Sequence, residues 1–369
     1  MKKFLPILVA ALLTVSCSSN SEEVQTSVTV LTTEVPASTT TTTSTTSTTS
    51  TTSTTSTTST TSTTSTTSTT EPPIRNLELD GKIVFNRHEE VFVMNADGTD
   101  VRQLTNDEAP YYTPVWSPDS KQIAFRWDQR DDILPRIFVM NADGTDVRQL
   151  TDNIINIWHD SPDWSPDGTQ IVFSETVIGS DRGDQEVFVI NADGTGVRQL
   201  TDSEDMWTAH RPVWSPDGNY IAFEGRNLWE MYHQEIFVIN IDGTGLRKLT
   251  GDGPMLPIFE DYVNGDGENN YTNSSPDWSP DGTQITFTSN RSDGLADVIY
   301  VMNADGSEVY SVGQEGADFD LMPVWSPDGR YIAFQSNRNG WAEEIFVMTA
   351  DGSEVYSTGQ EGTSPDWKN

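Results

Sequence analysis

This chain of 369 residues is rich in carboxylates and carries only four histidines and one cysteine, which narrows the chemistry open to it. His159 and His210 recur in neighbouring, related segments, each beside a charged residue, Asp160 and Arg211. Paired imidazoles at the mouth of a ring could hold a divalent metal, but the histidines lack ligand spacing and no metal is expected. A second set is Asp163, Asp277 and Asp366, each within Ser-Pro-Asp-Trp. Carboxylates ~8 Å apart at an effective dielectric of ~20 repel by ~2 kcal/mol. Water, the hydroxyls of Ser161, Ser275 and Ser364, or a cation must therefore offset such a set; water and serine are the expectation. No cofactor is expected. Calcium would find oxygen ligands only in the 264–270 insertion or at the Asp set, and Tyr262 breaks the twelve-residue calcium register at its first position. There is no G-x-S-x-G and no glycine-rich phosphate loop, so nucleophilic hydrolysis and phosphoryl transfer have no motif here.

The elements that must position these residues are tandem repeats. Six copies align on Phe85, Phe125, Phe173, Phe223, Phe287 and Phe334. Runs such as Gln122-Ile123-Ala124-Phe125 and Ile137-Phe138-Val139-Met140 are short, β-branched and aromatic, which is strand chemistry. Asn-Ala-Asp-Gly joins the second run to a third, with glycine supplying the positive φ of a hairpin turn. Pro-x-Trp and Ser-Pro-Asp-Gly, with Ser120 in the glycine place of the second copy, precede every copy but the first and add a fourth strand and its turn. Four antiparallel strands a to d per unit, at a pitch of 40-odd residues, predict an all-β, six-bladed β-propeller. The first copy lacks Pro-x-Trp, whereas the chain ends Ser364-Pro365-Asp366-Trp367-Lys368-Asn369. The C-terminal strand is therefore expected to complete blade one beside residues 82–86. Before the strand-a tryptophans, Val115, Asp163, Val213, Asp277, Val324 and Asp366 alternate, which places the three carboxylates at one height around the axis.

The repeated W-S-P-D-G-x-x-I-x-F, the S-N-R of Ser289 to Arg291 and Ser336 to Arg338, and I-F-V-M-N-A-D-G resemble the repeats of the TolB β-propeller family. Propellers of dipeptidyl-peptidase-type proteins share them, and the resemblance covers residues 80–369. It implies a propeller that binds another envelope protein or peptide, in an extracytoplasmic setting. The globular domain that precedes the propeller in TolB is replaced here by a Thr/Ser segment, so the resemblance does not extend to a place in the Tol system.

Residues 1–16 read as a lipoprotein signal peptide, with Lys2-Lys3, an apolar run and a small residue before Cys17. Cys17 would carry the lipid, and the membrane would be reached only through that anchor. Residues 17–73 form a Thr/Ser-rich stalk with no apolar surface to offset its conformational entropy. Residues 74–369 form the propeller, expected to be monomeric. The formal net charge of −35 repels nucleic acid.

Topology sorts the connections. The a–b and c–d turns share one face and are nearly uniform; the variable b–c and d–a loops share the other, where selective binding is expected. The ligand-binding candidates on that loop face are Trp127, Trp158, Trp207, Trp229, Trp341, Tyr112, Tyr232, His159, Asp160, His210 and Arg211. The functional expectation is a non-catalytic envelope binding protein. The alternative is a glycan-binding propeller using Trp127, Trp229, Tyr232 and Trp341 as a stacking platform. A third reading is a metal-dependent, polysaccharide-lyase-like or hydrolytic enzyme.

Overall fold

The computed structural model describes Leu77 and residues 79–369, except 108, 130–133, 153, 155, 180–184, 203–206, 228–233, 252–271, 292–295, 314–318 and 341. Cys17, the stalk, Trp229, Tyr232, Trp341 and the 264–270 insertion lie outside the described residues. The repeats fold into six four-stranded antiparallel sheets. Blade 1 is built in the order β24 (Thr363–Lys368), β1 (Lys82–Arg87), β2 (Glu90–Asn95) and β3 (Arg102–Gln103), so the C-terminal strand does supply the missing piece. Ile83 faces Trp367 and Val84 faces Asp366 in that pairing. The Trp367 indole N–H donates to the Asp80 carbonyl at 2.9 Å, and Leu77 and Leu79 pack beside the strand without taking its place.

The innermost strands of blades 2 to 6 are β4 (Tyr111–Trp116), β8 (Ile157–Trp164), β12 (Trp207–Trp214), β16 (Asn273–Trp278) and β20 (Asp320–Trp325). Each touches the next around the axis, and β20 touches β24, which closes the ring. Strands b and c are apolar on both faces, because each blade is covered by a neighbour on either side. The core consequently lies between blades. Ala124, Ile137, Val139 and Leu150 of blade 2 pack with Trp164, Ile171, Phe173 and Ile190 of blade 3. The six aligned phenylalanines are all at most 2% exposed, and the six strand-a tryptophans at most 8%.

The turns repeat because their hydrogen bonds are local. Asp143 Oδ1 accepts from the Thr145 N–H at 3.0 Å and from its hydroxyl at 2.6 Å. Gly144 follows at φ 85°, and a Cβ there would stand 2.7 Å from the Leu104 carbonyl of blade 1. Only glycine satisfies both the turn and the blade contact.

One feature of every innermost strand escapes the repeat reading. The residue before its proline sits at a bulge in the left-handed region: Thr113, Ser161, Arg211, Ser275, Met322 and Ser364, with φ from 47° to 52°. None is glycine, so each position carries strain of order 1–3 kcal/mol. In blade 3, Asp160 faces Ser174 and Asp163 faces Val172, three residues against two. The extra residue turns Asp160 and Asp163 onto the same face of the sheet.

Closure can be tested directly. Burying ~200 Å² of the Trp367 indole contributes a gross ~5 kcal/mol. Deleting residues 363–369 should lower the melting temperature by many degrees, read by calorimetry against the intact propeller.

Candidate binding site at the channel mouth

The loop-face candidates separate into two groups once their strands are placed. Trp158, His159 and Asp160 lie in β8, and Trp207, His210 and Arg211 in β12, so these are strand residues and not loop residues. Trp127 ends β5 (Gln122–Trp127). It stacks on Tyr111 at 5.4 Å and meets Phe138 edge-on at 4.7 Å, so it closes the end of blade 2 and offers no free platform. His159 is likewise spent inside its blade. It is 2% exposed, lies edge-on to Phe173 at 5.2 Å, and its Nε2 is 3.2 Å from Glu175 Oε2. Strand alternation puts it on the opposite face from Asp160.

Asp160, His210 and Arg211 do come together, with partners the repeat pattern did not flag. Arg126 of blade 2 donates to both oxygens of Asp128 at 2.7 and 2.6 Å and to Asp160 Oδ2 at 2.9 Å. Its guanidinium lies 4.9 Å from the Tyr112 ring and 5.6 Å from that of Trp158. Asp160 Oδ2 stands 3.6 Å from His210 Nε2, while His210 Nδ1 is 3.1 Å from Glu224 Oε1. Glu224 Oε2 accepts from the Ser275 N–H at 3.0 Å, and Arg211 donates to Ser275 Oγ at 2.6 Å. The chain of charges thus runs from blade 2 through blades 3 and 4 to blade 5.

Its electrostatics follow from that sandwich. Burial alone would lower His210, but the hydrogen bonds it donates to Asp160 and Glu224 outweigh that and push the imidazole up to about 9. Burial raises Glu224, yet Arg211 and His210 bring it down to about 2. Asp160 is held below the usual carboxylate range, against its burial, by His210 and Arg126. His210 at neutral pH is an imidazolium with both nitrogens facing carboxylates, so it has no lone pair for a metal or a substrate proton. Among the described residues no group of three or more His, Cys, Asp or Glu is arranged to hold a metal ion.

The strands that carry this network end in exposed aliphatic residues. β8 and β9 (Gln170–Val177) have eight residues each against six in β4 and β5, so the blade 3 hairpin reaches further on the loop face. Ile154, Val177 and Ile178 at its end are 46%, 39% and 42% exposed. Their backbone is fixed at the tip of the hairpin, where Val177 pairs with Ile157 and the Ile178 N–H donates to the Asn156 carbonyl at 2.6 Å.

The carboxylate set lies deeper in the channel, half-buried. The serines do not serve it. Asp163 Oδ2 accepts from the backbone N–H of Trp214 at 2.7 Å, Asp277 Oδ2 from that of Trp325 at 2.7 Å, and Asp366 Oδ2 from that of Trp116 at 2.6 Å. Ser275 Oγ is taken by Arg211, and Ser364 Oγ donates to the Met322 sulfur. Lys368 lies within electrostatic reach of all three carboxylates, and their charges raise its ammonium against its burial. A backbone donor from the next blade has no signature in sequence, which is why side-chain hydroxyls were the expectation.

A family model described as the TolB beta propeller domain matches residues 86–256 and 263–368. Among solved structures, TolB from Acinetobacter baumannii is 18% identical over 79% of this chain and 67% of its own, with a TM-score of 0.60. The putative TolB from Agrobacterium tumefaciens is 22% identical over 77% of this chain and 90% of its own, with a TM-score of 0.55. An oligogalacturonate lyase solved in complex with manganese is 13% identical over 73% of this chain and 70% of its own, with a TM-score of 0.51. At these identities the likeness to the solved structures is one of fold. No curated protein sequence matches the chain.

The network has a pH signature. A histidine raised to about 9 contributes stability that is complete below its unfolded value of about 6.5 and is lost as pH rises through 9. His210→Gln leaves two buried carboxylates short of a cation and should cost ~3 kcal/mol at about pH 6. Thermal melts should show that deficit shrinking at about pH 10, where the wild-type imidazolium is also lost.

Proposed function

Since the chain belongs to the TolB beta propeller domain family, we propose that it is a non-catalytic envelope protein that docks an envelope protein or peptide on its loop face. It works outside the cytoplasm, tethered by a lipid on Cys17 through the Thr/Ser-rich segment. The observation that carries the docking reading is the exposed aliphatic tip of the blade 3 hairpin, Ile154, Val177 and Ile178, whose strand β8 also bears Asp160 of the mouth network. Exposed β-branched residues grouped on one hairpin, next to fixed charges, have the apolar-centre and polar-rim anatomy of a protein interface. The exposed apolar residues Val147, Val197, Leu246 and Val309 come one per blade, ahead of the outer strands of blades 2 to 5, and make no such group. The binding reading is favoured over an enzyme because His210, the polar group best placed for acid–base work, is spent between two carboxylates. The glycan platform has one described ring, Trp127, and that ring is packed inside blade 2.

Docking is tested by capture from envelope extract with wild type, an Ile154→Glu/Ile178→Glu variant and Asp143→Lys on the turn face. The hairpin-tip variant should bind its partner at least ~10-fold more weakly with an unchanged melting temperature, and the turn variant should bind normally. Normal capture by the hairpin-tip variant would sink the assignment. Cys17→Ser should move the protein from the membrane fraction to the soluble extracytoplasmic fraction without altering its melt. An unchanged membrane fraction would remove the lipid anchor from the account.

A further inference from the structure

The channel carboxylates tie the ring together at alternate junctions. Asp366 reaches from blade 1 to blade 2, Asp163 from blade 3 to blade 4, and Asp277 from blade 5 to blade 6. At the same level the other three innermost strands present Val115, Val213 and Val324, which carry no charge. The charged groups that act on one another at this level are therefore Asp163, Asp277, Asp366 and Lys368. Two of them, Asp366 and Lys368, belong to the closing strand β24.

With every group ionised, the ring holds three negative charges against one positive charge in a half-buried space. Each carboxylate has one oxygen fixed on a backbone N–H, so the like charges cannot draw apart without releasing a blade junction. Like charges held close in partial burial favour protonation of some of them. A neutral carboxyl still accepts the N–H bond through its carbonyl oxygen, so protonation removes repulsion without removing the staple.

We propose that this axial ring is a proton-operated latch on propeller closure, which binds protons as the surrounding medium falls from alkaline to mildly acidic and tightens the closing strand. The latch is independent of what the loop face binds. The titration of the individual groups supports it. Burial, and then the neighbouring Asp366, push Asp163 and Asp277 up to about 7 against their hydrogen bonds and the pull of Lys368. Asp366 is raised by burial as well. An acid raised on folding contributes stability that is complete below its unfolded value of about 3.9 and is lost as pH rises through its folded value. The sign is opposite to that of a paired surface carboxylate and opposite to that of Glu224.

The test compares melts at about pH 5 and about pH 8 for wild type, Asp163→Asn/Asp277→Asn and Lys368→Met. Asparagine keeps the acceptor for the tryptophan N–H and removes the charge. The double variant should lose much of the wild-type drop in melting temperature between the two pH values, and Lys368→Met should enlarge that drop. An unchanged pH dependence in both variants overturns the proposal. If the double variant does not fold, carboxyl carbon NMR of the wild type decides. Two aspartate resonances titrating near neutrality support the latch, whereas titration of every aspartate below about pH 5 refutes it.

Discussion

A four-stranded blade with two apolar faces cannot bury either of them alone, and the rest of the structure follows from that constraint. Each face must meet another blade, so the core sits at the junctions and a strand-a tryptophan from one blade fills the gap beside its neighbour. An open stack would leave two faces wet at its ends. Closing the ring with the C-terminal strand removes both ends and seats Trp367 against blade 6. Stability is therefore shared around the ring and not centred in one core.

The same arrangement governs the chemistry near the axis. Six innermost strands converge there, and each brings backbone donors and side chains within reach of its neighbours. A chain this acidic must answer its own charge at that point. It does so in two ways at two depths: the mouth pairs Asp160 and Glu224 with Arg126, His210 and Arg211, while the deeper ring sets three carboxylates against Lys368. The mouth network is built to be charged and the deeper ring to exchange protons. The non-glycine bulge before each proline makes both possible, since it sets Asp160 and Asp163 on one face of blade 3.

Much of the fold was legible in the sequence because it repeats. Six aligned phenylalanines, six tryptophans and the Asp-Gly turns specify period, strand order and closure, and the sheets follow that order. The site was legible only where the chain departs from its repeat, as at His210 and Arg211. Arg126, Glu224 and Lys368 stand within or beside strands and look like ordinary repeat positions; their roles come from contacts between blades, which no single repeat encodes. Trp127 and His159 misled for a related reason. Both fall at blade ends, where an aromatic ring can face solvent or fold onto the blade's own phenylalanine, and local sequence does not distinguish the two.

If partners are read by the loop-face mouth of blades 3 and 4, binding must protect the strands that form it. Hydrogen exchange of the propeller with and without its captured partner tests this most directly. Exchange should slow over residues 154–160, 174–178 and 207–211, and not at the 117–121 and 142–146 turns. Protection confined to those turns, with the mouth unchanged, would contradict it.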